Sequence, residues 1–102
     1  MWIVKPSTVR EYAAEHARAR VSLEHWLALV EKSQWESFEE LHQSFSSADQ
    51  VTVKSGRTVV VFNIGGNNYR LIAAVHYNMG KVFILRFMTH AEYDKDTWKD
   101  TL

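Results

Sequence analysis

Apolar residues recur with a helical period in the first half of the chain and with an extended period in the second half. In the first half, one stripe at the i, i+3, i+4, i+7 spacing of a helix face is formed by Leu23, Trp26, Leu27 and Val30. The pattern predicts helix from about Thr8 to about Gln34. The stretch 17–20 carries no large apolar residue, which predicts a break between two helices there.

The ends of these elements carry recognisable signals. Residues 2–5 are predicted to form a short strand that stops at Pro6, because proline cannot donate to a strand ladder. Thr8 and Ser37 are each followed three residues later by glutamate, which is the signature of a capping box. The first box is predicted to start the long helical region, and the second a short third helix.

The second half predicts a meander of strands. Apolar and β-branched runs occupy residues 51–53, 58–64, 69–77 and 81–88, separated by turn-forming residues at 65–68 and 78–80. The predicted fold is therefore α+β. An N-terminal strand and two to three helices pack on one face of an antiparallel sheet of three to four strands, in a single domain over residues 1–102.

Strand alternation separates the arginines from the bulkiest apolar side chains. On one face it predicts Arg70, Ile72, Ala74 and His76 from one strand, and Ile84, Arg86 and Met88 from the next. Phe83, Leu85 and Phe87 are predicted to point the other way. Either this face is an open functional surface, or its arginines are simply solvated. Alternation alone favours solvated arginines.

Residues 89–94 follow the last strand and bring two groups suited to proton transfer. The imidazole of His90 can act as acid or base near neutral pH, and the hydroxyl of Tyr93 can donate to a leaving oxygen. By position alone, His90 is a surface residue at a strand end and Tyr93 a cap on the core. The other histidines are scattered, so no metal site is expected. No Gly-rich loop precedes a helix, so no cofactor is expected either.

The net charge is zero, but its distribution is uneven. Residues 1–50 carry five basic and eight acidic groups, residues 51–91 carry five basic and no acidic group, and residues 92–102 carry two basic and four acidic groups. Such a basic segment is an electrostatic footprint that the total conceals. With no cysteine, no membrane-length apolar run and no signal-peptide pattern, a cytoplasmic location away from the membrane is expected.

Two blocks of sequence resemble a known family. Residues 61–71, VFNIGGNNYRL, are similar to the signature VFNIxGNxYRL of HigB-type toxins, and residues 86–95, RFMTHAEYDK, are similar to that family's ending RFxxTHAEYDK. Both blocks occur in the expected order and separation, and the helices with Trp26 and Trp35 also suit the family. The resemblance therefore extends over essentially the whole chain.

The resemblance implies a RelE-like fold and a ribosome-dependent mRNA endonuclease that needs no metal. The RNA 2′-hydroxyl would attack the scissile phosphate, and the protein would be neutralised by a HigA-type helix-turn-helix antitoxin. Operator DNA would be reached only through that antitoxin. The implied catalytic residues are Arg70, His90, Tyr93 and Arg86. The implied contacts to RNA or the ribosome are Asn63, which stands where RelE has a lysine, with Lys54, Arg57, Lys81 and Lys95.

The roles of base and acid stay open between His90 and Tyr93. Two other functions also stay open. One is a toxin fold that cuts nothing and acts only as a binding partner or co-repressor. The other is a free RNA-binding domain without an antitoxin.

Overall fold

Three helices precede the sheet-forming half of the chain in the computed structural model, which describes residues 1–102. They are α1 (Ser7–Glu15), α2 (Arg20–Lys32) and α3 (Phe38–Ser44). A single 3₁₀ turn at Ala17–Ala19 separates α1 from α2 and confirms the predicted break. The break follows from the sequence, because this stretch offers no large side chain to the core.

The two predicted capping boxes have different outcomes. The side chain of Ser37 accepts a hydrogen bond from the backbone N–H of Glu40 at 3.3 Å, so the predicted start of α3 is confirmed. The prediction of a capping box at Thr8 is wrong, because α1 begins at Ser7, directly after Pro6, and has no side-chain cap. Proline has its φ fixed near the helical value, and at −61° Pro6 already leads the chain into the helix.

Five strands form one sheet, in the order β1-β5-β4-β3-β2. Their bounds are β1 Trp2–Val4, β2 Asp49–Thr52, β3 Thr58–Ile64, β4 Tyr69–His76 and β5 Lys81–Thr89. The α+β class is confirmed. The sheet exceeds the expected three to four strands because β2 pairs with β3 as a hairpin, while β1 joins the far edge parallel to β5.

The larger core lies between the helices and one face of the sheet. It contains 18 buried residues, among them the predicted stripe of α2. The ring of Trp26 meets Phe62 of β3 edge to face, with ring centroids 5.3 Å apart. This packing fixes α2 against the centre of the sheet. The side of β4 that faces away from α2 is therefore free of the helices.

The opposite face of the sheet is covered in part by the C-terminal residues. A second, smaller core forms there from Val53, Val59, Val61, Ile72, Met88 and Trp98. Trp98 belongs to a final 3₁₀ turn, Thr97–Thr101, and lies against the face that carries the arginine of β4. The interpretation of that arginine as a solvated surface residue is therefore wrong.

A β-bulge changes the alternation along β5. Ile72 is paired with Arg86 and the next residue, Ala73, with Ile84, so Leu85 is the extra residue. Ile84 consequently packs on the helix side, Leu85 packs on the side of Arg86, and Phe83 is paired with Ala74 on the arginine face. The predicted faces of all three residues are wrong. A bulge cannot be read from strict period-2 alternation. It leaves Arg86 and Met88 on the face of Arg70, as predicted.

Truncating Trp98 should destabilise the protein strongly, because this side chain is only 6% exposed and supplies much of the smaller core. We expect Trp98→Ala to lower the free energy of unfolding by about 3–5 kcal/mol. Chemical denaturation measures the loss. Trp2→Ala is the matched control, since Trp2 is 70% exposed and its truncation should change stability by about 0.5 kcal/mol or less. Equal losses in the two variants would contradict a second core.

Candidate functional site

The β3–β4 hairpin turn is the first element of the site. Gly65 and Gly66 adopt φ values of 63° and 68°, a left-handed conformation that glycine enters without steric cost. Asn67 and Asn68, the other two predicted turn-forming residues, do not adopt a positive φ. Their identities are therefore not required by the backbone of the turn.

Arg70 projects from β4 immediately behind this turn and is the one buried charged residue of the chain, at 8% exposure. Its Nη1 donates to the carbonyl oxygens of Asn67 (3.2 Å) and Tyr69 (3.0 Å), and its Nη2 donates to Oδ1 of Asn67 (2.5 Å). No carboxylate pairs with it, since the ion pairs of the chain are His90–Asp94 and Lys99–Asp96. The guanidinium charge is thus met only by neutral oxygens and remains uncompensated.

Tyr93 lies beside Arg70 and has its ring held in place. The guanidinium carbon of Arg70 is 5.4 Å from the ring centroid, and the indole of Trp98 stacks on the ring at 5.4 Å. The Nε1 of Trp98 also donates to the backbone carbonyl of Tyr93 at 3.2 Å. Burial raises the pKa of the Tyr93 hydroxyl above its usual 10.0. This hydroxyl therefore keeps its proton at neutral pH and is a donor.

A short helix, α4 (His90–Asp94), carries both His90 and Tyr93. It begins with a complete capping box in which Thr89 accepts from the N–H of Glu92 and the carboxylate of Glu92 accepts from the N–H of Thr89. Those hydrogen bonds hold the pKa of Glu92 below its usual value. Residues 89–94 are therefore not an irregular strand end, and the T-x-x-E signature at Thr89 could have revealed the helix.

His90 is oriented from two sides. Its backbone N–H donates to the carbonyl of Asn68 at 2.9 Å, which ties α4 to the turn that also holds Arg70. Its Nδ1 lies 2.8 Å from Oδ2 of Asp94, one helical turn further on. With Nδ1 bonded to a carboxylate, Nε2 is the nitrogen left for a substrate. The imidazole is 40% exposed, so a ligand can reach it.

Arg86 is on the same sheet face but serves another contact. Its Nη1 donates to the carbonyl of Leu85 at 2.9 Å and its Nη2 to Oγ1 of Thr101 at 3.4 Å. No hydrogen bond joins it to Arg70, Tyr93 or His90. The structure thus places Arg70 in contact with Tyr93, and it carries His90 on the same short helix as Tyr93. It directs Arg86 toward the C-terminus.

The five predicted RNA or ribosome contacts are dispersed. Asn63 is directly paired with Arg70 across β3 and β4. Lys54 and Arg57 are exposed in the β2–β3 turn, where the N–H of Lys54 donates to the carbonyl of Lys99. Lys95 is exposed at the end of α4. Lys81 begins β5, about 27 Å along the strand from His90, and is not part of this cluster.

Sequence reasoning did not assign a role to three residues of the cluster. Trp98 stacks on Tyr93, Asp94 contacts His90, and Asn67 accepts from Arg70. The i, i+4 spacing of a His and an Asp on a helix is a signal for the second pair, once α4 is recognised. No sequence pattern points to the other two, which depend on the tertiary fold.

Comparison with known proteins adds to this geometry. Residues 19–96 match the family model HigB_toxin, described as the RelE-like toxic component of a toxin-antitoxin system. The match spans all the predicted site residues and most of the chain. The chain belongs to this family. Members of the HigB toxin family therefore share the segment that builds the cluster, whereas Trp98 lies just beyond the matched residues.

Individual relatives carry the same family name. The chain is 26% identical over 97 residues to the mRNA interferase HigB of Escherichia coli O6:H1 (strain CFT073), which spans 95% of this chain and 92% of that protein. Two further relatives are each 28% identical to this chain over 94 residues: the mRNA interferase toxin HigB of Escherichia coli K12 and the mRNA interferase HigB of Shigella flexneri. Each alignment covers 92% of this chain and 88% of the relative. No helix of this HigB-family chain has the length and apolar character needed to span a membrane.

Proposed function

We propose that this chain is the toxin of a toxin–antitoxin pair and acts as an mRNA endonuclease on the ribosome. One observation carries the proposal. Arg70 is a buried guanidinium with no carboxylate partner, in contact with the ring of a protonated tyrosine whose short helix also carries His90. An uncompensated cation beside one proton-transfer group, with a second such group on the same short helix, suits a phosphodiester. The names of the relatives, all mRNA interferases, support the same function.

Arg70 is the phosphate-binding group in this proposal. A guanidinium has five N–H donors in a fixed plane, and three of them are used by Asn67 and Tyr69. The Nε–H and one Nη2–H have no protein partner, and these two nitrogens are bonded to the same carbon. They can bind two phosphate oxygens at once, which places positive charge where the transition state gains negative charge.

His90 is the base and Tyr93 the acid. The Nε2 of His90 accepts the proton of the RNA 2′-hydroxyl as its oxygen forms a bond to phosphorus, while the contact with Asp94 stabilises the resulting imidazolium. The bond from phosphorus to the 5′-oxygen breaks, and Tyr93 donates its proton to that oxygen. The products are a 2′,3′-cyclic phosphate and a 5′-hydroxyl. No metal ion is needed to balance these steps.

The remaining basic residues act outside the chemistry. Lys54, Arg57 and Lys95 are exposed at the surface and would contact the phosphates of mRNA or ribosomal RNA, and Asn63 would contact the ribose. Arg86 adds charge to the same face, and Lys81 contacts more distant RNA. The antitoxin is proposed to be of the HigA type, with a helix-turn-helix domain that binds the operator. The toxin is proposed to act in the cytoplasm, where translated messages are available.

Inducible expression of the chain with mapping of mRNA 5′ ends tests the function. We expect growth arrest together with new cuts inside translated reading frames. A reporter message that lacks a start codon is the control, since a message that is not translated should stay intact. Healthy cells with intact messages would support a non-catalytic toxin fold that acts only through its partner. Efficient cutting of naked RNA would contradict ribosome dependence.

A further inference from the structure

Asn67 is an exposed residue, yet the oxygen of its side-chain amide makes the shortest hydrogen bond to Arg70, at 2.5 Å from Nη2. The backbone carbonyl of the same residue accepts from Nη1 at 3.2 Å. Asn67 thus accepts hydrogen bonds from both terminal nitrogens of the guanidinium. Because Asn67 does not adopt a positive φ, the turn itself gives no reason for an asparagine at this position.

We propose that Asn67 is a positioning residue for Arg70, which orients the guanidinium and leaves its positive charge available for a phosphate. This inference rests on the proposed function. By occupying the terminal nitrogens, Asn67 leaves the Nε–H and the remaining Nη2–H for substrate. A neutral amide does so without cancelling the charge, whereas a carboxylate at the same place would form an ion pair and repel the incoming phosphate.

The variants Asn67→Ala and Asn67→Asp separate this role from a structural one. Alanine removes the side-chain acceptor, and we expect about tenfold slower cleavage of ribosome-bound message, with the loss in kcat. Aspartate keeps an acceptor of nearly the same shape, so the protein should melt no lower than the wild type. Its cleavage should nevertheless fall by about a hundredfold, because the guanidinium charge is neutralised. A residue that only stabilises the turn would tolerate aspartate.

A second readout does not depend on cleavage. The Nε–H resonance of Arg70, assigned by its absence in Arg70→Lys, is followed by NMR during titration with inorganic phosphate. We expect a response in the wild type, a weaker one in Asn67→Ala and none in Asn67→Asp. Asn78→Ala is the matched control, since Asn78 is exposed in the β4–β5 turn and makes no side-chain hydrogen bond. It should match the wild type in both readouts.

The outcomes distinguish this inference from the proposed function. If the wild type cleaves message and Asn67→Asp cleaves it equally fast, the role of Asn67 is overturned while the nuclease stands. If the wild type cuts nothing, but the phosphate response of Arg70 decreases from wild type through alanine to aspartate, the nuclease is overturned and the role of Asn67 stands. An equal phosphate response in all three proteins overturns the role of Asn67.

Discussion

Arg70→Ala is expected to abolish growth arrest and to slow mRNA cleavage by about a thousandfold while the protein stays folded. The loss is large because Arg70 is the buried cation of the site, and its free N–H donors face no competing carboxylate. The cost to folding should be small. Removing the side chain also removes an unpaired buried charge. Two of the three oxygens it leaves belong to the exposed Asn67 and the third to Tyr69 at the start of β4, where water can replace the guanidinium.

Arg70→Lys tests whether the fork geometry matters as well as the charge. Lysine keeps the positive charge but has a single donor group, so a bidentate contact is lost, and we expect an intermediate loss of about a hundredfold. Arg10→Ala is the matched control, because Arg10 is exposed on α1 and belongs to no part of the cluster. Mapping of mRNA 5′ ends at matched expression measures all three. An Arg70→Ala protein that remained fully toxic would remove Arg70 from the mechanism.

Much of the fold could be predicted from the sequence because the main core is periodic. The stripe of α2, the break at Ala17–Ala19 and the turns around Gly65 and Gly80 are local signals, and the structure has them where they were expected. The bulge at Leu85 was missed, because alternation assumes one residue per position on each strand. The second core was missed for a related reason. Trp98 lies in a short turn without periodicity, and its burial depends on a contact distant in sequence.

The site was only partly predictable, and the residues that the sequence did not reveal were missed for one reason. Arg70, His90 and Tyr93 could be proposed because guanidinium, imidazole and phenol have chemistry of their own. Asn67 and Asp94 act through those residues, so their roles depend on distances that only the folded chain provides. Alternation favoured a solvated Arg70. The structure instead buries Arg70 in contact with the ring of Tyr93, and in this less polar environment its charge attracts an anionic substrate more strongly.

His90→Ala is expected to reduce cleavage by about a hundredfold to ten-thousandfold, since it removes the group that takes the 2′-hydroxyl proton. Growth arrest should disappear at matched expression. Folding should be preserved, because the side chain is 40% exposed and α4 is held by the Thr89 capping box and by the backbone bond from His90 to Asn68. Message cleavage in a translation extract gives the rate, and circular dichroism checks the fold.

Asp94→Asn tests whether the carboxylate of Asp94 assists proton transfer by His90 while the imidazole itself stays in place. The amide can still contact Nδ1 but lacks the charge that stabilises an imidazolium, so we expect about tenfold slower cleavage, a smaller loss than that of His90→Ala. In a His90→Ala background the same change should have almost no further effect, because Asp94 acts only through His90. His25→Ala is the control, being an exposed histidine on α2. Independent, additive losses from the two substitutions would show that His90 and Asp94 do not work as a pair.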